Sequence, residues 1–174
     1  MKACVLLLVL AGCYGDLRAG ATAPTEHGHG GAGFDFILAG GAQYESKTLE
    51  LGAGATIGCH CSDKNGYIPL GVEGRLVLAL APLSQYSSRD VVLVAHAGAA
   101  GASGMENTPA STGKAPDGVT TSFFVGLGPG DTQPGKGNGH AAVGFAASRL
   151  WPEGGEAYWM LGAALEVSYG FAQN

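Results

Sequence analysis

Tyr158-Trp159-Met160-Leu161-Gly162-Ala163-Ala164-Leu165-Glu166-Val167-Ser168-Tyr169-Gly170-Phe171 is the stretch whose reading decides the fold. In an extended strand, successive side chains point to opposite faces. Trp159, Leu161, Ala163, Leu165, Val167, Tyr169 and Phe171 therefore share one face. Tyr158, Met160, Gly162, Ala164, Glu166, Ser168 and Gly170 share the other. The first face is large and apolar. The second is mostly small, with one isolated charge. A soluble antiparallel sheet puts one face into a core and wets the other, which should then be dense in Lys, Thr, Glu and Arg. A face of Gly and Ala instead suits the crowded interior of a small closed barrel.

The same period of two runs back through the chain. Phe34, Phe36, Leu38 and Tyr44 alternate with Asp35, Ile37, Gly41 and Gln43. Leu49, Leu51, Ala53, Ala55 and Ile57 alternate with Glu50, Gly52, Gly54, Thr56 and Gly58. Leu70, Val72, Gly74, Leu76, Leu78 and Leu80 alternate with Gly71, Glu73, Arg75, Val77 and Ala79. Val91–Gly101 is apolar on both faces, and Ser122–Gly128 and Ala141–Ser148 are shorter. Turn chemistry separates the runs: Glu45-Ser46-Lys47, the Asn-Gly signal in Asp63-Lys64-Asn65-Gly66, and Trp151-Pro152-Glu153-Gly154-Gly155. Ser103–Val119 and Pro129–Gly139 read as long polar loops.

Composition agrees with an all-β chain of one domain. Of 174 residues, 31 are Gly and only 13% are charged, against averages of about 7% and about 25%. A net charge of −5 argues against nucleic acid as a partner, which calls for a basic face.

Several runs reach about 10–15 residues, beyond the usual soluble strand of about 5–6 and enough for the ~9–11 that cross a bilayer. Aromatic residues stand near run ends (Phe34, Tyr44, Tyr67, Trp151, Trp159, Tyr169, Phe171), as membrane-interface girdles require. The reading is an antiparallel up-and-down β-barrel of about eight strands that spans a membrane, with residues 34–171 as the barrel domain. Over those residues the chain resembles the small outer-membrane β-barrel family, the eight-stranded class of bacterial surface proteins. Its last strand, with Leu165, Val167, Tyr169 and Phe171 at alternate positions, is similar to the signal read by the barrel-assembly machinery, although Ala172-Gln173-Asn174 follows the aromatic. The resemblance implies a Gram-negative cell envelope, membrane lipid as surroundings, and a structural or surface-interaction role without enzymatic activity or cofactor. Seven strands are visible, whereas bacterial barrels use even numbers. The eighth would lie in Ser103–Val119 or in a different division of Tyr67–Ser84. The alternative is a soluble periplasmic lipoprotein whose β-sandwich or lipocalin-like barrel binds an apolar ligand.

At the N-terminus, Lys2 and the apolar Val5–Leu10 have the make-up of an export signal. Leu10-Ala11-Gly12-Cys13 resembles the bacterial lipobox. Residues 1–12 are then expected to be removed and Cys13 to be lipidated, giving an exported, lipid-anchored chain; the alternative is ordinary signal cleavage farther along, near Ala21-Thr22-Ala23, which would remove Cys13. The Gly-, Ala- and Thr-rich residues 13–33 read as a flexible tether.

Two groups of residues carry candidate chemistry. Cys59 and Cys61 flank His60, and in an oxidising compartment the two thiols are expected to pair. Their i, i+2 spacing, about 6.5–7 Å between Cα atoms in an extended strand, allows this only if the strand ends or bulges there. Free thiols or a metal site are the alternatives, and a metal would need further ligands at recognisable spacing. Glu50, Glu73, Arg75 and Glu166, with Asp35 and His96, fall on the small-residue faces and would meet inside a barrel. Buried charges must pair, so a structural charge network is expected there rather than a gate. No catalytic nucleophile and base, phosphate loop or metal motif is apparent.

Overall fold

A computed structural model describes residues 12–25, 32–62, 66–82, 89–105, 117–131 and 138–171. The strands are β1 (Gly12–Pro24), β2 (Gly33–Glu45), β3 (Leu49–Ser62), β4 (Gly66–Pro82), β5 (Asp90–Met105), β6 (Gly118–Gly130), β7 (Gly139–Pro152) and β8 (Tyr158–Phe171). They form one closed antiparallel barrel in chain order, β8 pairing back onto β1. Among the described residues, no helix is long and apolar enough to cross a membrane.

The eighth strand is β1, within the segment expected to be a tether. Residues 12–24 pair with β2 from Gly12↔Gln43 to Thr22↔Gly33, and with β8 from Cys13↔Phe171 to Pro24↔Met160. The physical reason is closure: without β1, β2 and β8 would each present an unpaired edge, and an apolar medium offers no water to satisfy it. The barrel therefore starts at residue 12 rather than 34. Residues 103–105 belong to β5, and residues 118–119 to β6. Residues 1–11 and the Asp63–Asn65 turn lie outside the described residues.

Burial follows the period of two, with the usual sense reversed. Large apolar side chains face outward and stay exposed, among them Leu38, Leu70, Val72, Val143 (65%), Phe145, Leu165 (50%) and Val167. Apart from Arg149 on β7, the charged side chains of the described strands face inward, Glu166 with no exposure at all. An apolar wall in water would forfeit roughly 25 cal/mol for each Å² left wet, so this face calls for an apolar surrounding.

The inward glycines are a condition of closure at this size. A Cβ on Gly162 would stand 1.9 Å from the Ala21 carbonyl oxygen, and one on Gly128 1.8 Å from that of Ala141. Adjacent strands curl too closely there for any side chain. A register shift in β4 between Ala79 and Ala81, opposite β5, is a local irregularity of the ladder.

Two apolar clusters fill much of the remaining lumen. Val77, Val92, Val94, Phe124 and Ala142 form one. Tyr67, Ala102, Leu150, Tyr158 and Met160 form the other, toward the end opposite Gly12 and Phe171. The charged side chains beside them are held away from bulk water.

Candidate functional site: an ionic network in the lumen

Alternation and register assemble the site. Asp16 and Arg18 sit two residues apart on the inward face of β1, as do Glu73 and Arg75 on β4. Register places Arg18 opposite Glu166 of β8, and Arg75 opposite His96 of β5. Each guanidinium then reaches across the lumen. Arg75 donates to Asp16 Oδ1 at 3.2 Å and to Glu50 Oε2 at 2.8 Å, with the Tyr14 ring 4.7 Å from its guanidinium carbon. Arg18 donates to Glu73, and its Nε stands 4.0 Å from Glu166 Oε2.

The imidazoles complete the network. His96 Nδ1 lies 3.1 Å from Glu73 Oε1, and its Nε2 lies 2.9 Å from Glu166 Oε2. His140 Nε2 approaches Glu166 Oε1 at 2.8 Å. Asn138 donates to Glu50 Oε1 at 3.2 Å. All these side chains are buried. Four carboxylates therefore face two guanidiniums and two imidazoles in two bonded groups, Arg75 with Asp16 and Glu50, and Arg18 and the imidazoles with Glu73 and Glu166. The groups adjoin where Asp16 comes within 4.8 Å of His96 and Glu166.

Of the residues expected in the lumen, Glu50, Glu73, Arg75 and Glu166 meet here together with His96. Asp35 does not. It belongs to a separate group farther along the barrel, where it accepts from Thr22 at 2.6 Å and lies 2.7 Å from His60 Nδ1. Tyr67 stacks on that imidazole at 5.0 Å. A cavity of about 60 Å³ separates the two groups, bordered by Arg18, Thr22, Asp35, Glu73, Thr120 and Phe124. It has room for a few waters.

Sequence reasoning missed Asp16 and Arg18, because they fell in the supposed tether, and missed His140, Asn138 and His60. The alternation of Tyr14, Asp16, Arg18 and Thr22 with Cys13, Leu17, Ala19 and Ala21 was the available signal. Opposite charges two residues apart on one face would mark a strand that pairs its charges inside.

The expected disulfide is absent. Cys59 and Cys61 are free thiols with their sulfurs 3.5 Å apart. β3 continues unbroken through both to Ser62, so the bulge that a bridge would need does not occur. Cys13 is exposed on the outward face of β1, in register with Phe171.

A metal could draw on Asp16, His96 and Glu166, each offering one ligand atom within 4.8 Å of the others. Arg18 and Arg75 already occupy that space as fixed cations, and their charge opposes another. The arrangement stabilises carboxylates with guanidinium and imidazole groups. It cross-links strands that are not neighbours in the barrel.

Two solved structures are similar. Neisserial surface protein A is 11% identical, with 92% of this chain and 97% of that chain covered and a TM-score of 0.53. A major outer membrane protein from Thermus thermophilus is 14% identical over 91% of this chain and 99% of that chain, at a TM-score of 0.32, too low to bear on the fold. No protein-family model matches the sequence, and no curated protein matches it significantly. The likeness to Neisserial surface protein A concerns the fold, an eight-stranded barrel.

Proposed function

We propose that the protein is an outer-membrane β-barrel with a structural or surface-interaction role and no catalytic activity. One observation carries the reading: a closed barrel whose outward face is apolar and whose interior is ionic. Such a wall is stable in hydrocarbon because every strand has two partners and no edge is left. A soluble carrier of apolar ligands would need the reverse, an apolar cavity inside a polar wall. The lumen offers Arg18, Glu73 and Glu166 where such a ligand would sit.

The test is electrophoretic migration of the detergent-folded full chain with and without boiling. A spanning barrel stays compact in the unboiled sample and shifts on heating. Identical migration, together with recovery in the soluble periplasmic fraction, would refute the proposal.

Lipidation belongs to the same reading. Cys13 points outward at the rim shared with Phe171, where acyl chains on its sulfur would enter the bilayer beside the barrel wall. Cys13→Ala is expected to abolish incorporation of labelled fatty acid. Undiminished labelling would remove the anchor from the proposal and leave the barrel standing.

A further inference from the structure

Among the described residues, Arg149 is the only charged side chain on the outward face of a strand. It lies three residues from the end of β7, in register with Thr121 of β6 and Trp159 of β8. Its guanidinium carbon stands 5.1 Å from the Trp151 ring centroid and 5.5 Å from that of Trp159. Its Nε is buried without a hydrogen-bond partner, and among the described residues no carboxylate pairs with it.

A cation on a lipid-facing wall is costly unless it reaches the interface or finds a counter-charge. Both indoles mark the interface depth, since tryptophan gathers where hydrocarbon meets headgroups. Both rings stand within cation–π range of the guanidinium, which supplies no anionic partner for its N–H donors. A planar fork of donors fits two oxygens of a phosphate. Thr121 on β6 and Trp159 on β8 are the register partners of Arg149 on the two flanking strands, and a hydroxyl and an indole N–H are donors of the kind such oxygens accept.

We propose that Arg149, Trp151, Trp159 and Thr121 form a binding site for the phosphate of an anionic membrane lipid. The membrane itself is the source of the ligand, because the site faces the bilayer and its flanking rings would lie among headgroups. This inference rests on the outer-membrane reading above and goes beyond it in naming a ligand class.

The chain's two tryptophans both belong to this site, so intrinsic fluorescence reports on it directly. The full chain is reconstituted in phosphatidylcholine bilayers containing a small fraction of brominated phosphatidylglycerol or the same fraction of brominated phosphatidylcholine. Quenching by the anionic lipid should correspond to an affinity about fivefold above that of the zwitterionic one. In Arg149→Gln the ratio should fall to one, while Arg149→Lys keeps part of it. Equal quenching in the wild type overturns the site, and so does a preference that survives Arg149→Gln. Relief of quenching by millimolar inorganic phosphate would make a soluble anion the occupant and overturn the lipid assignment. Failure of the barrel reading looks different: neither brominated lipid quenches, and the same sample shows no heat-dependent migration.

Discussion

At the scale of single residues, the lumen is a set of mutual obligations. Arg75 serves Asp16 and Glu50 together. Its replacement by Ala leaves two buried carboxylates without their cation, a loss of about 3–5 kcal/mol. The urea midpoint of Arg75→Ala, measured in detergent, is expected to fall accordingly; an unmoved midpoint would show that the carboxylates find water instead. Replacing Leu165 tests the opposite face. It is half exposed while its neighbour Glu166 is fully buried, so Leu165→Arg puts a charge into lipid and should cost about 2–4 kcal/mol near mid-membrane. Leu165→Cys carries the cleaner readout. A quencher dissolved in the bilayer should reach a label at that sulfur and a water-soluble one should not. The lumen carboxylates on β3, β4 and β8 could be read from sequence because parity within an alternating run fixes the face. Their partners could not all be found that way. Which guanidinium serves which carboxylate depends on register between strands distant in the chain, and alternation is silent about that.

Among the strands, β1 separates what the sequence conveys from what only the fold shows. Its outward face, Cys13, Gly15, Leu17, Ala19, Ala21 and Ala23, has a single large apolar residue. The amplitude of the alternation is therefore too low to distinguish strand from linker. β8 has the same inward logic but presents Trp159, Leu161, Leu165, Val167, Tyr169 and Phe171, and reads plainly. The outward face of β1 can be small because β2 and β8 flank it with Phe34, Phe36, Leu161 and Leu165. Odd strand count was the remaining clue, since an up-and-down barrel with both termini at one end needs an even number. The seam between β1 and β8 also holds one of the closest backbone approaches in the wall. Gly162→Val would drive a branched side chain against the Ala21 carbonyl, and the expected outcome is loss of the compact unboiled band. Normal folding of that variant would mean that the seam can open to admit it.

For the whole molecule, eight strands leave an interior that side chains can fill. Here Phe124, Val77, Val92 and Val94 pack beside the ionic network, and Tyr67, Leu150, Tyr158 and Met160 close the opposite end. The expected outcome in a planar lipid bilayer is an insulating protein, with no sustained conductance steps. Large, stable steps would show that the packing yields under voltage. The network also has a bearing on how the barrel is made. Its members come from β1, β3, β4, β5, β7 and β8, and Arg18 of the first strand reaches both Glu73 of the fourth and Glu166 of the last. No partial sheet can satisfy that set. Slipping one strand by a single residue would turn its charges out toward lipid, while omitting β1 would strand Glu73 and Glu166 without Arg18. The ion pairs thus proofread assembly: a nascent barrel is released from its electrostatic debt only when the first strand meets the last in the correct register.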